Sequence, residues 1–239
     1  MKIDVMPAVV LAIGLAAGGW FAGQGFVASR TVDRFVTVKG VAERAVQADV
    51  AIWSLRFVST DDDLARALAE IERSQTTILE FLEDQGIDGD TVEVQRLDVT
   101  DNLANPYRSG PVATRYIIDQ TLMVRSDDPP RIRSASQQVS RLVDAGVVLS
   151  NEGGFDVGPT YLFTRLNDFK PEMIAEATSS ARQAAEQFAQ DSGSQVGGIR
   201  RANQGVFVVM PRDPTMGASE ESQLDKQLRV VATLDYYLR

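Results

Sequence analysis

From Val5 to Gly23 the chain runs for nineteen residues without a charge or a strong polar group. In lipid every backbone N–H and C=O must be satisfied within the segment, so an uncharged run of this length crosses a bilayer as a helix. At about 1.5 Å per helical residue it reaches roughly 28 Å, close to the thickness of the hydrocarbon layer. Everything after Arg30 is polar, patterned and globular. The reading is one N-terminal transmembrane anchor within residues 1–29, followed by a domain over residues 30–239. A cleaved secretory signal is the alternative, since it also starts with a basic residue, here Lys2, and an apolar core. Its core would be shorter, and Ala17-Gly18-Gly19 and Gly23-Gln24-Gly25 fit a small-x-small cleavage site only loosely. Charge bias does not set the orientation, because Lys2 and the amino terminus face Arg30 and Arg34 across the span. Gly14 with Gly18, and Gly19 with Gly23, form two G-x-x-x-G pairs, the candidate helix–helix contact in the membrane. Glycine is also common in membrane helices that make no such contact.

Without the anchor about 210 residues remain, enough for one large domain or for two small halves that share a core. The net charge of −9 argues against a nucleic-acid partner, which needs a basic face, and against flat adhesion to anionic lipid. The chain has no cysteine, which excludes disulfides, thiolate catalysis and zinc–sulfur sites. It has no histidine, which removes the Ser-His-Asp triad, the usual imidazole acid–base and the commonest transition-metal ligand. The lysines are Lys2, Lys39, Lys170 and Lys226, and none closes a Gly-rich phosphate loop. No residue pattern designates a catalytic group, a cofactor or a metal.

The domain opens with strands over Phe35–Val41 and Val46–Thr60; in the second, Ala51, Trp53, Leu55 and Phe57 share one face, with Trp53 read as core. Thr60-Asp61-Asp62-Asp63 opens a helix, Thr60 capping and the acids complementing the helix dipole. Three adjacent aspartates invite a calcium reading, but the alternating ligands and glycine of an EF-hand loop are missing. Leu64, Leu68, Ile71, Gln75, Ile78 and Leu82 mark the buried stripe, and Gly86 ends the helix. Thr91–Leu103 and Thr114–Ser126 are strands joined by a loop with Asn105-Pro106 and Gly110-Pro111, and Tyr116, Ile118, Leu122 and Val124 share a face. Asp127-Asp128-Pro129-Pro130 caps a second helix with stripe Ile132, Ala135, Val139 and Leu142, stopped by Gly146. Residues Val147–Thr164 hold strand material interrupted by Asn151-Glu152-Gly153-Gly154.

A third helix runs from near Pro171 to Ser192, with the small stripe Ile174, Ala177, Ala181, Ala184 and Phe188, and is broken by Gly193 and Gly197-Gly198. Ile199–Met210 is a strand, Pro211–Ser222 a polar loop, and Lys226–Arg239 a final half-buried strand. A helix–strand–loop–strand unit thus occurs twice. Gln85-Gly86 matches Ser192-Gly193, and Asp119-Gln120 aligns with Lys226-Gln227, at one common offset of 107. The fold class expected is α+β: antiparallel sheets with packed helices, arranged as two similar halves.

Several of these residues resemble the SIMPL-domain family of bacterial periplasmic and envelope proteins. The family's opening pattern is similar to Val38-Lys39-Gly40-Val41-Ala42 followed by Val46-Gln47-Ala48-Asp49-Val50-Ala51, with Ala48 in place of the usual proline and Ala42 in place of its second glycine. The alanine-rich helix resembles Ala181–Ala189 running into Gly193 and Gly197, and the closing strand resembles Leu228–Tyr237. The resemblance covers Phe35–Arg239. It implies an α+β fold, an envelope location and assembly into homo-oligomeric rings or cages, with no agreed active-site residues.

Three functions are weighed. The first is a non-enzymatic scaffold at the bacterial inner membrane, anchored by a single pass through lipid, with its C-terminal domain in the periplasm and assembled as a homo-oligomer. The second is an envelope-stress-related module binding a small ligand, peptide or cation through Asp88-Gly89-Asp90, the Asn151–Gly154 loop or Arg200-Arg201, each of which also reads as turn chemistry or solvated charge. The third is a carboxylate-based hydrolase, for which no pair of acids stands out by spacing.

Overall fold

The strongest period-two patterns, Val50–Asp61 and Asp225–Leu238, become strands with a partner on each side. The computed structural model describes residues 13–24, 34–104, 113–150, 158–215 and 219–239. Its elements in order are α1 (13–24), β1 (Phe35–Gln47), β2 (Val50–Asp61), α2 (Leu64–Asp84), β3 (Val92–Asp101), β4 (Tyr116–Ser126), α3 (Pro129–Ser136), α4 (Ser140–Asp144), β5 (Thr160–Leu162), α5 (Leu166–Asp191), β6 (Val196–Gln204), β7 (Val208–Pro211) and β8 (Asp225–Leu238). The fold is α+β with two antiparallel sheets. The chain separates into two units: one of Met1–Ala42, Pro171–Phe207 and Val230–Arg239, the other of Glu43–Lys170 and Val208–Arg229.

The larger unit holds the sheet β3-β4-β2-β5. Ala51, Trp53, Leu55 and Phe57 all turn inward on β2, and Ile118, Leu122 and Val124 join them from β4. Helix α2 packs on β2 and β4. Its buried stripe is Ala67, Ile71, Ser74, Ile78, Phe81 and Leu82, which corrects the expected one. Leu64 and Leu68 are left at the surface, and Gln75 accepts a hydrogen bond from Gln120 at 2.8 Å. The cap also moves. The pairing of β2 with β4 extends through Asp61↔Tyr116 and keeps Thr60 extended, so Asp63 caps α2 by accepting from the Ala65 and Arg66 N–H groups. Burial of α3 and α4 follows the expected Ile132, Ala135 and Leu142, with Val139 half-buried, but a turn at 137–139 divides what was read as one helix. Asp128 caps α3 ahead of its two prolines, as expected. Between Val147 and Thr164 the described strand structure is β5 and a bridge from Leu149 to Phe57, and the Asn151–Gly154 stretch lies outside the described residues.

The smaller unit repeats the strand order as β6-β8-β1, with α5 as its helix. Helix α5 begins five residues before the Pro171 expected to open it, with Pro171 inside. Its buried side chains are Met173, Ala177, Ala181, Ala185 and Ala189, one every fourth residue. This corrects the expected stripe: Ala184 and Phe188 are exposed and Ile174 is half-buried. Gly40 of β1 explains the choice, since a Cβ there would overlap the Ala177 carbonyl oxygen and press on Ala181. Gly197-Gly198 do not break the helix; they belong to β6. The single strand expected over Ile199–Met210 is two, both paired with β8, interrupted where the Gly205 N–H donates to the Val231 carbonyl at 2.8 Å. Gly86, Gly146 and Gly193 follow α2, α4 and α5 with φ of 73°, 91° and 66°, left-handed stops that glycine adopts without strain.

Helix α1 covers part of the expected anchor, and Val5 to residue 12 lie outside the described residues. Among the described residues no helix is long and apolar enough to cross a membrane. Gly14, Gly18, Gly19 and Gly23 all lie in α1, and among the described residues nothing beyond their own neighbours in the helix comes within 4 Å of where their Cβ would be.

Candidate functional site

Strand β3 forms one edge of the larger unit's sheet and pairs with β4 alone among the described strands. Its sequence, VEVQRLDVTD, does not alternate evenly, because a bulge falls between Val94 and Arg96. The extra residue corrects the phase. Val92 stands opposite Val124, Val94 opposite Leu122, Leu97 opposite Gln120 and Val99 opposite Ile118, so all four apolar residues take the face on which β4 is buried. Glu93, Arg96, Asp98 and Thr100 take the other.

This core-side face is left uncovered along most of β3. Val92 packs against the core, but Val94, Leu97 and Val99 are 54%, 51% and 50% exposed, and Leu103 just beyond is also exposed. An exposed apolar row beside a strand edge that lacks a partner is the arrangement folded proteins usually blunt, because a further strand can pair there. The strand itself is firmly held. Asp101 receives the Arg115 guanidinium at 3.0 Å, and that hydrogen bond, with the Leu103 N–H, keeps its carboxyl below the usual range. The Arg115 N–H in turn donates to Asp62 at 2.9 Å. On the polar face Arg96 pairs with Asp98, and Asp98 stands directly opposite Asp119, which is held by Arg56 at 3.0 Å.

The smaller unit carries an open cleft of about 630 Å³ between the end of α5 and the start of β6, lined by Arg182, Glu186, Gln190, Gln195, Gly198 and Tyr236 among others. Arg182 pairs with Glu186 at 3.0 Å, which raises its pKa further. Nearby in the same unit Asp235 is buried on β8, accepting from the Thr37 hydroxyl at 2.8 Å and pairing with Arg201 at 2.9 Å. The Thr37 hydrogen bond, reinforced by Arg201, holds the Asp235 carboxyl low.

Further polar contacts tie loops and strand ends together. Burial pushes the Asp49 carboxyl upward, but the Thr164 hydroxyl and N–H, at 2.5 and 2.6 Å, together bring it below its ordinary value. Lys226 is fully buried, its ammonium donating to the Glu220 carbonyl at 2.6 Å and meeting the Glu220 carboxylate at 2.5 Å. Asp61 holds the Asp63 N–H and Arg66, and both contacts lower its pKa. Of the expected binding residues, Asp88 accepts from the Asp90 N–H and opens a short 3-10 turn at Gly89–Thr91, Arg200 lies over the Phe35 ring at 4.2 Å, and Arg201 serves Asp235. No group of three or more acids that could hold a metal ion occurs among the described residues. The uncovered edge was not legible in the sequence. The four apolar residues of β3 fall at spacings of two, three and two, and the odd step hides their common face until the bulge is known.

Two α+β units with matching strand orders, one ending in an open apolar edge, define the class of this molecule. The chain belongs to the SIMPL family, a family described as a protein of unknown function (DUF541), whose model matches residues 36–235. None of the curated proteins compared with it matches.

Proposed function

We propose that the protein is a non-enzymatic scaffold of the bacterial cell envelope, held at the inner membrane by its N-terminal segment, with the SIMPL domain in the periplasm, self-assembling into a homo-oligomeric ring or cage. The observation that carries the reading is the β3 edge: three half-exposed apolar side chains in a row beside an open strand is a surface suited to protein contact. The uncharged run from Val5 to Gly23 supports the anchor, and many anchors on one assembly would add their membrane affinities. The test is the solution mass by light scattering of the full chain in detergent and of residues 31–239 alone. A defined oligomer of the shorter piece is the expected result; a monomer in both would end the scaffold reading. Protease added to spheroplasts should digest the domain while cytoplasmic markers survive, and full protection would overturn the periplasmic placement.

A second reading, a binding module for a small ligand or peptide, is favoured by the cleft beside Arg182 and Tyr236. Its polar lining mixes an ion pair with amides, which suits a ligand carrying both a donor and an acceptor.

A further inference from the structure

We propose that two copies of this chain join through β3, antiparallel and edge to edge, about a two-fold axis at Leu97. The inference rests on the reading of the domain as self-assembling and names one pairwise contact of that assembly; an isologous two-fold contact closes at a dimer, so a ring or cage needs a second surface besides it.

The register follows from the side chains. Residues directly opposite in an antiparallel pair point to the same face, so a two-fold axis must pass through a residue position rather than between two of them. An axis at Arg96 sets arginine against arginine, and one at Asp98 sets aspartate against aspartate. An axis at Val99 sets Leu97 against Asp101. With the axis at Leu97, Leu97 meets its own copy, and each Arg96 faces the Asp98 of the second copy. The bulge at Gln95 then shifts the following pairs by one, bringing Val94 opposite Val99 and Glu93 opposite Thr100. The three exposed apolar residues, Val94, Leu97 and Val99, are each matched with an apolar one on the core-side face, where the half-buried Val92 at the strand's end meets Asp101, and every charge on the other face meets an opposite or a neutral group.

Asp98 has particular use for a second cation. It stands opposite Asp119 within its own sheet, a like-charge pair that costs stability, and it has Arg96 of its own strand as its ion-pair partner. The partner copy's Arg96 would complete an alternating square of two arginines and two aspartates. On the opposite face, Val94, Leu97 and Val99 from both copies would form one apolar strip of six side chains where each copy alone leaves three half-exposed.

The absence of cysteine gives a direct test in the full chain in detergent. Opposed residues of an antiparallel pair have Cα atoms about 4.5–5.5 Å apart, within disulfide range. Leu97→Cys is therefore expected to oxidise to a covalent dimer far faster than Val206→Cys, an equally new thiol at a strongly exposed position of the other unit. Arg96→Asp and Asp98→Arg should each weaken self-association about tenfold, and the double exchange should restore it. These positions are exposed, so folding, followed by circular dichroism, should be unchanged. If the wild-type chain associates but Leu97→Cys cross-links no faster than Val206→Cys and the charge variants change nothing, the β3 register is wrong and the scaffold works through another face. If the wild-type chain and residues 31–239 are both monomeric at every concentration, the register and the scaffold reading fall together.

Discussion

The two units place a helix on sheets of the same strand order, and they fill the layer between in opposite ways. In the larger unit, α2 sets Ile71, Ile78, Phe81 and Leu82 against Trp53, Phe57, Ile118 and Leu122. In the smaller unit, α5 offers Met173 and four alanines, and β1 offers Gly40. Large side chains hold helix and sheet apart and gain stability from buried apolar area; small ones gain it from close backbone approach and many short-range contacts. One topology therefore supports a thick layer and a thin one. The thick layer is sensitive to losing atoms and the thin one to gaining them.

That contrast can be broken from either side. The largest effect is expected at Trp53, which is fully buried: Trp53→Ala should cost about 4 kcal/mol in denaturant unfolding. Trp53→Phe should cost markedly less, because it also removes an indole N–H that has no hydrogen-bond partner. Next comes Gly40→Ala, a single added methyl that should cost about 3 kcal/mol. Ala177→Gly should not rescue it, since the overlap is with the Ala177 carbonyl oxygen and not its side chain. A Gly40→Ala chain as stable as the wild type would show that the thin layer has slack and would end the comparison.

Acid gives the smallest and most gradual effect, and it touches both units. Asp235 in the smaller unit, and Asp49, Asp61 and Asp101 in the larger, all have pKa values lowered by folding. A lowered carboxyl binds fewer protons folded than unfolded, so its contribution is present above the ordinary aspartate value of about 4 and fades as the pH falls through the folded value. Melting temperature should be flat from neutral pH to about 5 and decline below about 4. Asp235→Asn should reduce that slope, and an unchanged slope would mean that Asp235 is not among the groups responsible.

Much of this fold was legible because it depends on local pattern. The inward face of β2, the Asp128-Pro129-Pro130 start of α3 and the glycine stops at Gly86, Gly146 and Gly193 all follow from neighbours within a few residues. The two helices also end alike: α2 and α5 end at Asp84 and Asp191, and each is followed two residues later by a left-handed glycine, Gly86 and Gly193. Errors came where two faces were both plausible. Leu64 and Leu68 read as core because leucine at helical spacing normally is, yet the Ala67–Ile71–Ser74 face is the one turned inward. Asp235, an acid in a half-buried strand, is buried, because Thr37 and Arg201 satisfy it from two other strands.

The sequence by itself determined the kinds of element, the glycine stops, the Asp128 start of α3 and the chemistries ruled out by a chain without cysteine or histidine. These are properties of short windows or of composition; where a distant strand intervenes, as when the pairing of β2 with β4 moves the α2 cap from Thr60 to Asp63, the local pattern is overridden. Only the tertiary structure decided which alanines of α5 are buried, which strand became an edge, and that a bulge at Gln95 gathers Val94, Leu97 and Val99 on one uncovered face. Those outcomes depend on what stands opposite each residue, such as Gly40 across from Ala177 or Leu122 across from Val94, and such pairings bring together positions far apart in the chain.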